Sequence, residues 1–350
     1  MSTLNIAFYI SGHGFGHASR SIELIRALLE RQPDLRITVK SKAPKWLFDA
    51  AGLPRVEHES FETDIGMTQT DSLTMDLVDT ARRAADFYRD FDRRAAREAA
   101  ALRSRGVELV LGDIPPLAHA AASRAGLPSI AIGNFTWDWI YERYAEVFER
   151  EAPAVIPQIR DAYRLATRAL RLPMHGGFAT IATVVDIPMV ARRSTRPREE
   201  TRALLKIPPD RPLVLASFGA YGVNVMFEDV AHREALTVIA PPAALAPPLR
   251  YQDLVAAADV VITKPGYGIV SECIANRTPM LYTSRGVFAE YDVFVAEMPR
   301  YLRCRFLPQD DLRLGRWRHH IDALLAQGDP PERARIDGAD VAAKLVLSRG

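Results

Sequence analysis

Two histidines, His13 and His17, flank a glycine-rich turn in the segment SGHGFGH at residues 11–17. Imidazoles so placed could hold a metal as a pair, exchange protons as acid and base, or make structural hydrogen bonds within a loop. Glycines at 12, 14 and 16 would let the backbone approach a ligand closely. The turn is not a P-loop, which closes on Gly-Lys-Ser/Thr where this chain has Gly-His-Ala. Its glycine spacing also departs from the G-x-G-x-x-G of dinucleotide sites. A histidine pair around such a turn, at the carboxyl end of a strand, favours a functional over a structural reading.

The elements that would position this turn follow from the periodicity around it. Residues 6–10 form a continuous apolar run, the mark of a strand buried on both faces of a parallel sheet. From Ala18 onward Ile22, Ile25, Leu28 and Leu29 recur at helical spacing, and the start of that helix would offer free N–H groups to an anion. Further along, a strand is expected at 35–39, a short helix at 43–50, an irregular polar loop at 56–70 and a long helical region at 73–105. Asp90 and Asp92 have the D-x-D spacing of some metal sites, but residues two apart on a helix point to nearly opposite sides, so they read as a solvated face. A strand at 107–113 would deliver Asp113 to its carboxyl end, and after a helix at 117–125 a strand at 129–132 leads to Asn134. Repeated strand, helix, strand units predict a parallel doubly wound sheet, with His13, His17, Asp113 and Asn134 outside its carboxyl edge. Residues 134–141 pack four aromatics into eight positions, with Asn134 and Asp138 able to bond hydroxyls. Trp137 and Asp138 either line a site or join Phe135, Trp139 and Ile140 in closing the core.

The second half repeats this pattern. An Arg-rich, helix-like stretch at 146–171 leads to Pro173 and to His175, which reads as a turn residue beside two glycines. A strand lies within 183–190, and the charged stretch 192–198 is the expected crossing between domains. Strands at 213–217, 236–240, 259–263 and 279–283 alternate with helices, two of which cover 251–258 and 269–275. Glycine-containing turns at 218–222 and 264–268 follow two of the strands, and Glu272 lies in the helix after the second turn. An α/β chain with two Rossmann-like parallel-sheet domains is expected, at 1–185 and 186–330, with a C-terminal helix in 331–350 that could return to the first.

Composition bounds the class. At 350 residues the chain is long enough for two cores, and 48% hydrophobic with 25% charged residues is ordinary for a folded protein. A net charge of +2, its cations interspersed with acids, leaves no electrostatic footprint for nucleic acid. Cys273 and Cys304 cannot build a disulfide framework, the first apolar run lacks a basic leader, and no run approaches the ~20 apolar residues of a membrane span. A cytoplasmic protein without a transmembrane segment is expected, peripheral membrane contact remaining open.

The segments SGHGFGHASR, GDIPP, NFTWDWIY, DIPMVARR and KPGYGIVSE, in that order, resemble the glycosyltransferase-like N-terminal region of plant L-arabinokinases. The whole pattern resembles the GT-B class of nucleotide-sugar glycosyltransferases, from Ala7 to about Trp317. The sugar-kinase domain that follows in those kinases has no counterpart here, so kinase activity is not carried over. The resemblance implies two domains facing a cleft and an inverting transfer of sugar from a nucleotide-diphosphate donor, UDP-linked, to a hydroxyl acceptor. Glu272 would accept hydrogen bonds from the ribose, while Gly219, Gly266, Gly268 and the helix start, with Lys264, Tyr267 and Ser271, would face the diphosphate. Glu290 and Asp292 would touch the donor sugar. In the first domain the resemblance implies His17, or His13, as general base with Asp113, and Gly14, Phe15, Gly16, Asn134, Trp137 and Asp138 around the acceptor. Sugar transfer requires a deprotonated hydroxyl and a stabilised departing diphosphate. Backbone donors can hold that diphosphate, so neither a divalent ion nor a cofactor is expected. A sugar-nucleotide epimerase or hydrolase, and a noncatalytic nucleotide-sugar-binding protein, are the competing readings.

Overall fold

The apolar run near the start of the chain becomes an interior strand of a seven-stranded sheet. In the computed structural model, which describes residues 4–71, 73–219, 225–241, 245, 248–284 and 286–348, β1 (Asn5–Ile10) is buried along all but its first residue. Its neighbours are β2 (Arg36–Ser41) and β4 (Leu109–Asp113), both parallel, and the second ladder sets Ile10 beside Asp113. With β3 (Val56–Ser60), β5 (Ser129–Phe135), β6 (Arg168–Gly176) and β7 (Val184–Asp186), the order is β3-β2-β1-β4-β5-β6-β7. The chain leaves β1 through α1 (Gly16–Arg31) toward β2 and returns on the other side of β1 as β4. The loops after β1 and β4 therefore part in opposite directions and leave a crevice at the carboxyl edge, the topological switch point where ligands bind in open α/β sheets. On α1 the positions Ile22, Ile25, Leu28 and Leu29 are buried, as their spacing requires for a helix laid on the sheet.

Four expectations about local structure are corrected. The stretch 56–70 is not irregular throughout, because Val56–Ser60 pairs with β2 as the edge strand. An edge strand keeps one side near solvent, so the sequence VEHES carries polar residues that a central strand would not. The helical region 73–105 is two helices, α3 (Leu77–Arg89) and α4 (Phe91–Ser104), broken at Asp90. The Arg-rich stretch 146–171 gives α7 (Ala145–Glu151) and α8 (Val155–Arg164) and then enters β6, where buried and half-exposed residues alternate under the arginines. His175 accordingly ends a strand rather than standing in a turn.

The chain divides into two units, one of Met1–Thr68, Met75–Val190 and Ile336–Gly350, the other of Gln69–Thr74 and Ala191–Arg335. Within the first, the C-terminal α16 (Gly338–Leu347) packs against α1, with Arg31 paired to Asp340 and Arg168 donating to the Leu345 carbonyl. The helix and the segment after β7 meet closely there, since a Cβ on Gly338 would lie 2.1 Å from the Pro188 carbonyl oxygen.

The second unit has its own parallel sheet of β8 (Leu213–Ser217), β9 (Thr237–Ile239), β10 (Val260–Thr263), β11 (Met280–Tyr282) and β12 (Cys304–Phe306), in the order β12-β11-β10-β8-β9. Its switch point falls between β8 and β10. Val214, Ile262, Leu281, Trp317 and Ile321 form its buried centre, with the Trp317 indole N–H donating to the Leu312 carbonyl at 3.1 Å. Among the described residues no helix is long and apolar enough to cross a membrane.

Candidate functional site

The segment HASRS opens α1 and sets His17, Arg20 and Ser21 at i, i+3 and i+4, so all three project from one side of the helix. That side faces the end of β4, and all three bond Asp113. His17 Nδ1 lies 2.8 Å from Asp113 Oδ1, Arg20 Nε donates to Oδ2 at 2.7 Å, and the Ser21 hydroxyl donates to Oδ2 at 2.8 Å. Arg20 also reaches Oδ1 through Nη2 and donates to Asn134 Oδ1 through Nη1 at 2.7 Å. Asp113 is only 1% exposed and Arg20 only 6%, so this ion pair is interior. Burial by itself would raise the Asp113 carboxyl, but the charge and hydrogen bonds of Arg20, joined by those of His17, outweigh it and hold the group down to about 2.

An ionised carboxylate can only accept, so His17 Nδ1 must carry the proton it shares with Asp113. In the neutral imidazole Nε2 then keeps the lone pair. The Arg20 Nη2 atom 3.0 Å from Nδ1 is a neighbour drawn in by the same carboxylate oxygen rather than a competing donor.

The other candidates of this unit are divided. His13 stands edge-on to Trp137, with ring centroids 6.4 Å apart, and against Gly66, where a Cβ would lie 2.8 Å from the His13 side chain. Gly14 has φ +72° and is exposed, Phe15 is edge-on to Trp46, and Gly16 is the first residue of α1. Asn134, Trp137 and Asp138 are interior, being 0%, 1% and 5% exposed. The reason is local: β5 runs on through Phe135 and α6 (Trp137–Glu142) begins almost at once, which turns these side chains inward. Trp137 lies between Phe135 and Tyr141, and Asp138 Oδ1 is buried without a partner. The indole N–H of Trp137 donates to Asp64 Oδ2 at 2.8 Å, and the Ser11 hydroxyl donates to the same oxygen. Burial pushes the Asp64 carboxyl above its usual range, against the pull of Ser11, His17 and Trp137.

Arg20, Ser21, Ser11 and Asp64 were not singled out by sequence reasoning. The first two carry a legible signal, the i, i+3, i+4 spacing from His17. Asp64 carries none, because only the pairing of Val56–Ser60 brings its loop to the end of β1.

In the second unit the donor candidates gather at the switch point. Gly219 follows β8 with φ +71°, and Lys264 and Gly266 lead from β10 into α12 (Tyr267–Asn276), whose first turn holds Tyr267 and Gly268. Residues 220–222 of the other expected turn lie outside the described residues. Ser271 gives its hydroxyl to the Gly268 carbonyl at 2.9 Å. Glu272 is 3% exposed and accepts from Arg192 Nε at 2.6 Å. The Arg192 guanidinium also lies over the Tyr251 ring, 5.4 Å from its centroid, and the Tyr251 hydroxyl meets that of Ser217 at the end of β8. Burial, then the Glu272 charge, push the Tyr251 phenol well up. Arg192 and Tyr251 thus belong to the crevice, although the sequence places Arg192 in a linker. Glu290 and Asp292 share the first turn of α13 (Ala289–Glu297), the former buried and the latter exposed.

Among the described residues, one group of three side chains could hold a metal ion, Asp311 with His319 and His320. There Asp311 is already paired with Arg316 and His320, each at 2.9 Å. Asp90 and Asp92 pair with Arg93 and Arg124.

Removing Arg20 tests the centre of the first unit. Arg20→Met leaves Asp113 as an uncompensated buried charge and is expected to cost about 3–5 kcal/mol, read as a lower urea midpoint at neutral pH. The folded-state value of Asp113 lies below the unfolded value of about 3.9, so its contribution is complete above about pH 4 and fades as pH falls through about 2. The variant lacks that depressed value, so the gap between the two proteins should narrow on acidification; a constant gap would refute the account.

Comparison with known proteins agrees with this architecture. No family model matches the chain. It is similar to L-arabinokinase of Arabidopsis thaliana, with 28% identity over 359 residues, covering 98% of this chain and 34% of that protein. The chain therefore spans about a third of the length of the curated relative it matches. Among solved structures it is similar to CalG4, the calicheamicin glycosyltransferase, with 16% identity, a TM-score of 0.62 and coverage of 100% of this chain and 99% of that one. It is also similar to Arabidopsis thaliana UGT89C1 complexed with UDP, with 13% identity, a TM-score of 0.59 and 99% coverage of both chains. Two parallel doubly wound sheets with these neighbours make the fold GT-B.

Proposed function

We propose that this chain transfers a sugar from a nucleotide-diphosphate donor, UDP-linked, to an acceptor hydroxyl, with inversion and without a metal ion or cofactor. The observation that carries the proposal is the buried contact of His17 with Asp113 at the switch point of the first sheet. In this reading the acceptor proton passes to His17 Nε2 as the acceptor oxygen forms its bond to the anomeric carbon. The bond from that carbon to the diphosphate breaks with its electron pair, which leaves on the nucleotide. Asp113 positions the imidazole, and Arg20 keeps Asp113 an acceptor. Backbone N–H groups at the start of α12, with Lys264, take up the charge developing on the diphosphate. Solved structural neighbours complexed with UDP and with DTDP support a nucleotide-diphosphate donor.

Rate measurements test the base. His17→Ala should lower single-turnover transfer by about 10²–10⁴-fold with donor affinity unchanged, and Asp113→Asn should also slow it. Near wild-type transfer by His17→Ala removes the assignment and passes the role to His13. Product analysis in the same assay separates glycosylated acceptor from epimerised or hydrolysed donor.

The donor side has its own test. Glu272→Ala removes an acceptor of charged strength and should weaken UDP binding about 10- to 100-fold in calorimetry. Unchanged affinity in a folded variant would take Glu272 out of the nucleotide site.

Chelation tests the metal. Activity should survive EDTA; complete loss, restored by Mg²⁺ or Mn²⁺, would overturn the metal-free mechanism.

A further inference from the structure

Asp64 stands beside the His17 cluster with no role in the proton transfer. Its loop leaves β3 and is pinned to the end of β1, where the Thr63 hydroxyl donates to the Ile10 carbonyl at 3.0 Å. Ser11, the residue after β1, joins the two acids: its N–H donates to the Asp113 carbonyl at 2.8 Å and its hydroxyl to Asp64 Oδ2. Trp137 adds a second donor to that same oxygen from the start of α6. Two separate segments thus hold one oxygen of Asp64, while Oδ1 has no partner among the described residues and is not sealed in the interior. Nor does Asp64 pair with a cation there. Arg20, the guanidinium of the neighbouring cluster, is directed onto Asp113 and Asn134. A carboxyl fixed this firmly, with one oxygen unpartnered, accepts from a donor that reaches it and, when ionised, repels an anion.

We infer that Asp64 selects the acceptor: its open oxygen binds a hydroxyl or ammonium group adjacent to the reacting hydroxyl, so the acceptor is a neutral or amino-bearing polyol and not a sugar acid or a phosphate. The inference rests on the transferase reading for the fate of the bound polyol, but not for its binding. Asp64→Asn should reverse the preference. Ser11 and Trp137 can still donate to the amide carbonyl, which turns the amide NH₂ outward as a donor.

Ligand-observed NMR titrations with D-galactose, D-glucosamine and D-glucuronate provide the test. The wild type should bind galactose and glucosamine and exclude glucuronate. Asp64→Asn should weaken glucosamine about 10- to 100-fold and admit glucuronate. Glucuronate binding the wild type as well as galactose, no binding of any of the three, or glucosamine binding indifferent to Asp64→Asn would each overturn the inference. Should the variant fail to fold, the wild-type discrimination between glucosamine and glucuronate decides alone. Transfer is scored separately: Asp64-dependent binding without turnover on any nucleotide sugar sinks the transferase reading and leaves this one, whereas turnover onto a polyol with Asp64 indifferent does the reverse.

Discussion

A carboxylate buried as an anion is the constraint on which the first unit depends. Taking the Asp113 charge out of water is unfavourable by several kcal/mol, and an interior ion pair is tolerable only when nearly every lone pair has a donor. Here those donors come from a single face of α1. The helix is thereby fixed in rotation and in register on the sheet, since a slip of one residue would aim Ala18 or Ile22 at the carboxylate in place of His17 or Ser21. The loop between Ile10 and Gly16 has to bridge whatever gap that docking leaves, and its glycines make a path short enough. Gly12 shows the tightness, because a Cβ there would lie 2.7 Å from the Cβ of Lys42.

The second unit solves a related problem with the parts exchanged. Its buried acid, Glu272, is on the helix after the switch strand rather than on a strand, and its cation, Arg192, comes from the segment that opens the unit. Arg192 is further held against the Tyr251 ring, which ties α11 (Tyr251–Ala257) to α12 through charge as well as packing. In both units an acid–arginine pair stands beside the carboxyl ends of the central strands and holds the first helical turns near the crevice in place. Preorganised side chains of this kind need little rearrangement when a ligand arrives.

How much of this was legible in the chain depends on the range of the forces involved. Parallel strands such as Asn5–Ile10 and Val260–Thr263 announce themselves because burial on both faces demands unbroken apolar runs. His17 and Asp113 were legible as ends of neighbouring strands, and their pairing follows from the β1–β4 ladder. The edge strand Val56–Ser60 was not, since a half-exposed strand imposes a weak pattern, and Asp64 was lost along with it. Trp137 was legible only as an open choice, for a related reason. An aromatic after a strand can face a ligand or the core, and the choice was made by β5 extending to Phe135, a matter of pairing with β6 rather than of local sequence. Arg192 was hidden by its company, because a charged stretch with a proline has the composition of a linker even where one of its side chains is half-buried against an acid.

The two crevices also differ in charge, and the difference bears on which ligand each can take. In the first, Arg20 cancels one of the carboxylates Asp113 and Asp64 and leaves the other, while its own donors are turned inward. An anion entering there would meet an uncancelled acid. In the second, Arg192 likewise cancels Glu272, but the helix start at Gly266 and Tyr267 adds backbone N–H groups and the positive end of the α12 dipole, with Lys264 just before it. On the proposed reading a diphosphate is therefore favoured at the second crevice and a hydroxyl-bearing partner at the first. That polarity is set by the two arginines and one helix terminus, before any ligand is present.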